Sequence, residues 1–220
     1  EKIADFLTAV DERIAVGEKK LELLETYKRG VMQKIFSQQV RFKDDNGNPY
    51  PDWEEKKLGE VFNCVKGAGL SREQITDTGL NKCILYGELY TKYGEVIENV
   101  ISRTNSNAGI SSKSNDLLLP CSTTTTGIDL ANATALNESD VRLGGDISIL
   151  RFKKSGSNIF YAYYLSHFMK QKLASYGQGS TIVHMYFSHF KNMIVVEPSA
   201  EEQQKIANFL TTLDEKITAE

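Results

Sequence analysis

Apolar residues recur at alternating steps of four and three along the first 36 residues of the chain. Ten positions continue this pattern; Gly17 and Lys28 occupy two of them and the other eight are apolar. Heptad spacing of this kind predicts a coiled-coil helix, about 54 Å long at ~1.5 Å of rise per residue. A helix with one apolar stripe needs a partner that covers the stripe. Gly17 and Lys28 either set the register of that pairing or are simply tolerated within it.

The end of the chain repeats its beginning. Residues 204–217 read QKIANFLTTLDEKI and residues 1–14 read EKIADFLTAVDERI, with nine identities at a constant offset of 203. A short repeat on either side of a whole domain indicates a duplicated unit of helix plus domain. We therefore expect the chain to be a piece of a longer protein. The predicted coiled-coil seam consists of Ile3, Leu7, Val10, Ile14, Leu21, Leu24, Val31, Ile35, Ile206, Leu210, Leu213 and Ile217.

Between the two helical segments, the pattern changes to short apolar or alternating runs bounded by turn-forming residues, which predict strands. Residues 158–176 have helical spacing with Asn158 as the N-cap, and Ser199 with Glu202 predicts a capping box at the last helix. We predict an α+β fold in which one mixed α/β domain is flanked by long coiled-coil helices. Its parts are a helix over 1–37, a linker over 38–53, the domain over 54–199 and a second helix over 200–220.

Charge and composition bear on whether the chain binds nucleic acid, forms disulfides or crosses a membrane. The net charge is −3 with a pI of about 5.8, whereas nucleic-acid-binding proteins are usually basic. The acidic excess lies in residues 201–220, and the middle domain carries equal numbers of both signs, so it can still present one basic face. The three cysteines form no C-x-x-C pair, which indicates reduced thiols in a cytoplasmic protein. No apolar run approaches the ~20 residues that span a membrane.

The sequence gives no support for catalysis. The NPYP run at 48–51 has one proline too few for the Asn-Pro-Pro-aromatic motif of adenine methyltransferases, and it lies in a turn-rich segment. The histidines lack the spacing of a zinc site, and no nucleophile or kinase motif occurs. We predict a chain that is not an enzyme, with no metal and no cofactor of its own.

Three loops of the middle domain carry residue types that contact phosphates and base edges. Any one of them, taken alone, also fits an ordinary surface loop. The candidate DNA-binding residues from these loops and from nearby cationic positions are Lys66, Arg72, Lys82, Tyr86, Tyr90, Lys92, Tyr93, Ser122, Thr123, Thr124, Thr125, Gln178, Ser180, Thr181, His184 and Tyr186.

Several segments together resemble a known family. Residues 42–62, FKDDNGNPYPDWEEKKLGEVF, look like the start of a target recognition domain. Residues 176–217 look like its exit into a spacer helix, with the motif Pro, Glu-Gln, Ile-Ala-x-Phe-Leu and Leu-Asp-x-x-Ile. The resemblance is to the specificity subunit of type I restriction-modification systems and covers essentially the whole chain. Glu197-Pro198 stands where Pro-Pro is common.

The resemblance implies a function. Members of this family carry two recognition domains, each followed by a spacer helix, and each domain reads one half of a bipartite target in double-stranded DNA. The helices set the distance between the halves and dock methyltransferase subunits, which hold S-adenosylmethionine. Motor-nuclease subunits add ATP- and Mg-dependent restriction. A second half-subunit or a second copy of this chain would complete the pair. The rival hypothesis is a coiled-coil assembly protein whose middle domain binds protein.

Overall fold

The computed structural model describes residues 2–220, in which short strands alternate with helices between two longer helices. The helices are α1 Lys2–Phe36, α2 Leu58–Val61, α3 Glu88–Thr91, α4 Gly127–Leu130, α5 Asn158–Tyr163, α6 Lys170–Ala174, α7 Phe187–Phe190 and α8 Ala200–Thr218. The strands are β1 Glu54–Lys57, β2 Phe62–Lys66, β3 Asn81–Ile84, β4 Val96–Ile97, β5 Arg103–Thr104, β6 Ile110–Ser111, β7 Asp116–Pro120, β8 Ser122–Thr123, β9 Thr134–Leu136, β10 Arg142–Leu143, β11 Ile147–Phe152, β12 Val183–His184 and β13 Ile194–Glu197.

A five-stranded sheet with the order β2-β11-β7-β9-β4 lies at the centre of the domain. Neighbouring strands are antiparallel except β4 and β9, which are parallel. Side chains of a strand alternate between its two faces. Leu117 and Leu119 accordingly join one hydrophobic core, and Leu118 joins the other. The first core contains the long helices, and the second lies toward the four-stranded sheet β5-β3-β10-β6.

The C-terminal part of α1 is anchored in the first core. Met32, Ile35 and Phe36 are buried, and the ring centroids of Phe36 and Phe160 lie 5.8 Å apart. Aromatic pairs at such distances stabilise a core beyond the area they bury. This anchoring fixes the direction in which the rest of α1 leaves the domain.

Helices α1 and α8 pack against each other in antiparallel fashion. Lys20 pairs with Glu220, and further along α1 Lys28 pairs with Asp214, so the residue numbers rise along one helix as they fall along the other. The Lys28 side chain is only 12% exposed, and its ammonium lies 5.1 Å from the centroid of the Tyr163 ring. The sequence allows Lys28 either to set the register of the helix pairing or to be simply tolerated in the seam. The ion pair favours the first interpretation.

The seam residues of the two helices have different surroundings. Ile206, Leu210 and Leu213 are buried against the domain, as is Ile35 at the end of α1. Leu21, Leu24, Val31 and Ile217 are partly exposed. The first four seam positions, Ile3, Leu7, Val10 and Ile14, are exposed to solvent.

Two details of the predicted helix at 158–176 are wrong. The N-cap is Ser157, whose hydroxyl accepts a hydrogen bond from the Phe160 amide at 3.3 Å, whereas Asn158 is buried in the first turn and its side-chain amide donates to backbone carbonyls. The helix is also not continuous, because residues 164–168 form a π-helical turn between α5 and α6. The wider turn places Phe168 on Phe36, with ring centroids 6.0 Å apart.

The capping box predicted at the start of α8 is half correct. Ser199 does cap the helix, accepting from the Glu202 amide at 3.3 Å. The Glu202 side chain instead turns inward, where its two oxygens accept bonds from Arg41 at 2.8 Å each and one of them accepts from the Trp53 indole at 3.0 Å. A fully buried carboxylate needs such partners, and they fasten the segment before β1 to α8.

The α+β prediction for the fold class is confirmed: one mixed domain carries a long helix at each end. Among residues 2–220, no helix combines the length and apolarity needed to cross a membrane.

Candidate nucleic-acid interface

The turn between β10 and β11 is held tightly in place. A Cβ on Gly67 would lie 2.0 Å from the Gly144 carbonyl oxygen, so that position requires glycine, and one on Gly144 would lie 2.8 Å from a methyl carbon of Leu85, which would have to shift. Asp146, the last residue of the turn, has a φ of +55°, which aspartate adopts more readily than most residues. Its carbonyl accepts a bond from the Cys121 amide at 2.8 Å. The Asp146 carboxylate therefore projects from a rigid position.

Strands β8 and β12 bring Ser122 and His184 next to this carboxylate. The two residues are directly paired in the strand register, and Ser122 Oγ lies 2.9 Å from His184 Nδ1 and 3.1 Å from Asp146 Oδ2. The His184 ring stacks on Tyr186, with centroids 5.6 Å apart and planes 13° apart. Three chain segments thus meet at one polar patch.

Lys66, at the end of β2, completes the patch. Its ammonium lies 3.7 Å from Asp146 Oδ1 and 4.9 Å from the centroid of the Tyr186 ring. We call Lys66, Ser122, Asp146, His184 and Tyr186 the Asp146 cluster. It combines a cation, a carboxylate, an imidazole and a stacked phenol, which are groups able to meet both phosphates and base edges.

A cavity of about 760 Å³ adjoins the cluster and has Asp146 in its wall. Four of the predicted residues, Arg72, Tyr86, Tyr90 and Lys92, also line it. The structure therefore brings eight of the predicted residues into one continuous region, around a carboxylate that the sequence analysis did not single out.

Glu88 controls the charge of the cavity. Its buried carboxylate accepts bonds from the Leu85 amide at 2.8 Å and the Lys92 ammonium at 2.7 Å, and it also bonds the Ser102 hydroxyl. The hydrogen bond with Glu88 raises the pKa of Lys92. Lys92 therefore keeps its proton, but most of its charge is balanced within the wall.

A hairpin tip extends the region beyond the Asp146 cluster. The backbone groups of Gln178 and His184 exchange two hydrogen bonds of 2.8 and 2.9 Å, which close the loop between them. Gln178, Ser180 and Thr181 are exposed at its tip. Their side chains are therefore free to reach a ligand lying on the Asp146 cluster.

The threonine loop is less available than its sequence indicates. Thr123 is buried, and its hydroxyl lies 2.8 Å from that of Thr125. Thr125 in turn donates to Asp129 at 2.5 Å, and the bonds from Thr125 and Thr126 lower the pKa of the Asp129 carboxyl. Thr124, Thr125 and Thr126 are all exposed, but the hydroxyls of Thr125 and Thr126 hold the start of α4 through Asp129, which leaves Thr124 as the member best placed to meet a ligand.

Two other candidates have structural partners. Lys82 lies on β3, where its ammonium pairs with Glu138 at 2.7 Å. Tyr93 is half-buried against the second core, and its hydroxyl accepts a bond from the Ile101 amide at 3.0 Å. Burial raises the pKa of the Tyr93 phenol. These contacts are sufficient to explain why both residues are present.

Asp146 and Glu88 are absent from the predicted residues because cations, amides and hydroxyls are the residue types expected to meet phosphates and base edges. A signal for Asp146 was present: the Gly-Gly-Asp run before a buried strand is typical of a tight turn that presents a polar side chain. No comparable local signal marks Glu88, since its burial depends on Ser102 and on the folding of the segment between them.

The chain is similar to proteins of a known family. The family model for the type I restriction modification DNA specificity domain matches residues 50–220. The type I restriction enzyme MjaVIII specificity subunit of Methanocaldococcus jannaschii is 24% identical to this chain, over 99% of it and 53% of the relative. The chain spans about half the length of the curated relatives it matches.

Two solved structures have a similar fold. The HsdS subunit from Thermoanaerobacter tengcongensis matches with a TM-score of 0.63 and 15% identity, over 99% of this chain and 50% of that one. The S subunit of a type I restriction-modification system from M. genitalium matches with a TM-score of 0.57 and 17% identity, over 80% of this chain and 41% of that one. The family model covers more than half of the chain, and the chain therefore belongs to the family of type I restriction-modification DNA specificity domains.

Proposed function

We propose that this chain reads DNA sequence as the specificity part of a type I restriction-modification complex and recognises one half of a bipartite target. The observation that carries the proposal is the Asp146 cluster with its adjoining cavity and hairpin tip. These features join eleven of the predicted residues, counting those at the tip, in one region of a chain of this family. Because cations and carboxylates are balanced there, most phosphate contacts would come from partner subunits.

The surface of α1 supports docking of methyltransferase subunits. Val16, Leu23 and Tyr27 are exposed, and their spacing of seven and four places them on one face of the helix, apart from the seam. An exposed apolar stripe of this kind marks an interaction surface. We assign S-adenosylmethionine to the methyltransferase subunits, and ATP and Mg to the motor-nuclease subunits that would join them, so that this chain supplies recognition without catalysis.

A second half-subunit or a second copy of this chain is the partner that fits the exposed start of α1. Residues 2–14 carry nearly the same side chains that α8 uses to pack on the domain. Pairing of the exposed seams around a two-fold axis would cover them and would place two recognition domains at a fixed separation. We expect a dimer in sedimentation equilibrium, and Leu7→Lys should shift the mass to that of one chain.

The proposal predicts a methylation pattern. The chain and its methyltransferase subunit would be expressed in a host free of adenine methylation, and modified adenines would be mapped across the genome. We expect a bipartite motif with symmetric halves if two copies pair. A Leu23→Lys variant should lose co-purification with the methyltransferase while its urea unfolding curve stays unchanged, because Leu23 is exposed.

The rival function, an assembly protein with a protein-binding middle domain, is favoured by the exposed apolar seam of α1. Salt dependence separates the two. Binding to DNA releases counterions and falls steeply as salt rises, whereas pairing of apolar seams does not weaken. Absence of both methylation and DNA binding, with the seam still pairing, would support the assembly protein and contradict the recognition function.

A further inference from the structure

The carboxylate of Asp146 is an unusual group to find among residues that would face DNA, because it repels phosphates. Its backbone is held at a positive φ and by the bond from the Cys121 amide to its carbonyl, the Ser122 hydroxyl bonds its Oδ2, and its side chain is 36% exposed. A DNA group that meets this accessible carboxylate must donate a hydrogen bond to it.

The hydrogen bonds around Asp146 have a defined direction. An ionised carboxylate only accepts, so Ser122 donates its single hydroxyl proton to Asp146 Oδ2. His184 Nδ1 lies within hydrogen-bond distance of the Ser122 oxygen and 3.3 Å from the Tyr186 hydroxyl. Asp146 therefore presents an acceptor whose direction does not depend on the state of the imidazole.

Asp146 keeps bonding capacity for a ligand. Its Oδ1 lies 3.7 Å from the Lys66 ammonium, which is too long for a hydrogen bond. Lys66 is exposed and can swing to a phosphate, a contact that positions DNA without reading it. The neighbouring carboxylate is then the group left to face a base edge.

We propose that Asp146 is a specificity-determining residue that accepts a hydrogen bond from the amino group of a cytosine in the major groove, an inference that rests on the proposed function. Cytosine offers only a donor there, whereas guanine offers two acceptors and thymine an acceptor and a methyl group. Adenine presents its amino group beside the N7 lone pair, which a carboxylate repels. A C·G pair is therefore the best match to this acceptor.

Asp146→Asn tests the proposal by replacing one carboxylate oxygen with an NH2 group. Asparagine tolerates a positive φ as aspartate does, so the turn should keep its shape. The new amide donates to N7 and accepts from N6 of adenine. In the methylation map, the motif position that is cytosine for the wild type should become adenine or mixed, with about a tenfold change in preference.

Asp140→Asn is the matched control. Asp140 also has a positive φ, of 64°, and its carboxylate also accepts from a serine, Ser111, at 3.0 Å. Its variant should methylate the wild-type motif. If Asp146→Asn keeps the wild-type motif at wild-type level, Asp146 does not read a base, and the recognition function itself stands.

If Asp146→Asn methylates nothing, selection of bound DNA from a randomised pool by the same complex decides the question. Enrichment of a site that differs at one position supports the proposal, and enrichment of the wild-type site or of none overturns it. If the wild-type complex shows no sequence preference in either methylation or binding, the proposed function and this inference are overturned together.

Discussion

The two copies of the repeat have nearly the same sequence and opposite surroundings. In α8, Ile206 and Leu210 are fully buried, whereas their counterparts in α1, Ile3 and Leu7, are 78% and 55% exposed. The heptad pattern therefore encodes the ability to pack and does not encode which surface is packed. The domain supplies that surface for the second copy, through residues that are distant in sequence.

The polar positions of the repeat differ in the same way. Asp214 in α8 pairs with Lys28 and accepts a bond from the Tyr163 hydroxyl, while its identical counterpart, Asp11, is exposed. Proximity to Asp214 and burial together raise the pKa of Tyr163 well above its ordinary range, burial being the larger cause. The same position of the repeat thus holds a partly buried ion-pair and hydrogen-bond partner in α8 and a solvated charge in α1.

Truncation of the equivalent leucines should give the largest difference between the copies. We expect Leu210→Ala to lower the free energy of unfolding by about 2–5 kcal/mol, because it removes a fully buried side chain and leaves a cavity. Leu7→Ala should change it by no more than ~0.5 kcal/mol in the single chain. Urea unfolding at low protein concentration measures both.

Protein concentration makes this test sharper. If Leu7→Ala destabilises only at high concentration, its side chain is covered by a second chain in the dimer. An equal loss for both variants at low concentration would contradict the difference in burial between the two copies.

Substitution of the equivalent aspartates, Asp214 and Asp11, should give the next largest difference in the free energy of unfolding. Asp214→Asn removes a charge that faces the nearly buried Lys28, and we expect a loss of about 1–3 kcal/mol in the free energy of unfolding. Asp11→Asn should be within ~0.5 kcal/mol of the wild type. Thermal unfolding followed by circular dichroism compares them, and a loss for Asp11→Asn as large as that for Asp214→Asn would show that Asp11 has a partner too.

Much of this fold follows from local pattern. The heptad steps predicted both helices, and the alternating runs predicted the main strands, because side-chain period decides which face of an element can be buried. What failed was decided by distant residues. Glu202 fits a capping box by sequence, but Arg41 and Trp53 draw its carboxylate inward. Nothing within residues 158–176 shows that a π-helical turn will seat Phe168 on α1.

The candidate site could be predicted only in part, for a related reason. Residue type predicted Lys66, His184 and Tyr186 as candidate binding residues. Their convergence depends on the pairing of β8 with β12 and of β2 with β11, which no local spacing specifies. Asp146 was overlooked because a carboxylate opposes phosphate binding in general, and the use proposed for it rests on its bonded geometry, which the local sequence does not encode.

The ionised groups around the buried end of α1 should make the free energy of unfolding depend on pH, whereas the exposed end should not. Burial alone would raise the pKa of Glu95, but its hydrogen bond with His167 and the nearby Lys28 charge outweigh burial and lower the pKa from 4.5 to about 2. A carboxyl whose pKa is lowered on folding stabilises the protein above pH 4.5, and that stability is lost as the pH falls toward 2.

We therefore expect the wild type to lose about 1–2 kcal/mol of unfolding free energy between pH 4.5 and 2 that Glu95→Gln does not lose. The difference is smaller than the full pKa shift would give, because the Glu95 side chain keeps some solvent contact. Urea unfolding at a series of pH values measures it, with Asp11→Asn as the control. Parallel curves for the wild type and Glu95→Gln would remove Glu95 as the source.

The smallest expected difference concerns the phenylalanines of the repeat. Phe209 packs on Phe42, in the segment before β1, with ring centroids 5.6 Å apart and planes at 62°, whereas its counterpart Phe6 is exposed. Edge-to-face pairs contribute about 0.5–1.5 kcal/mol beyond the area they bury, and Leu in place of Phe keeps most of that area. Phe209→Leu should therefore lose about 1 kcal/mol of unfolding free energy, and Phe6→Leu should lose almost none.

Proteolysis shows where the Phe209 effect acts. Because Phe42 would lose its ring contact, cleavage in residues 42–50 should become faster in Phe209→Leu at protease levels that leave the rest of the domain intact. Unchanged cleavage there would mean that other contacts hold the segment, such as the 2.7 Å bond between Lys205 and Asp45. Helix α8 would then hold residues 42–50 in place through this ion pair, and the Phe209 ring would contribute only to packing.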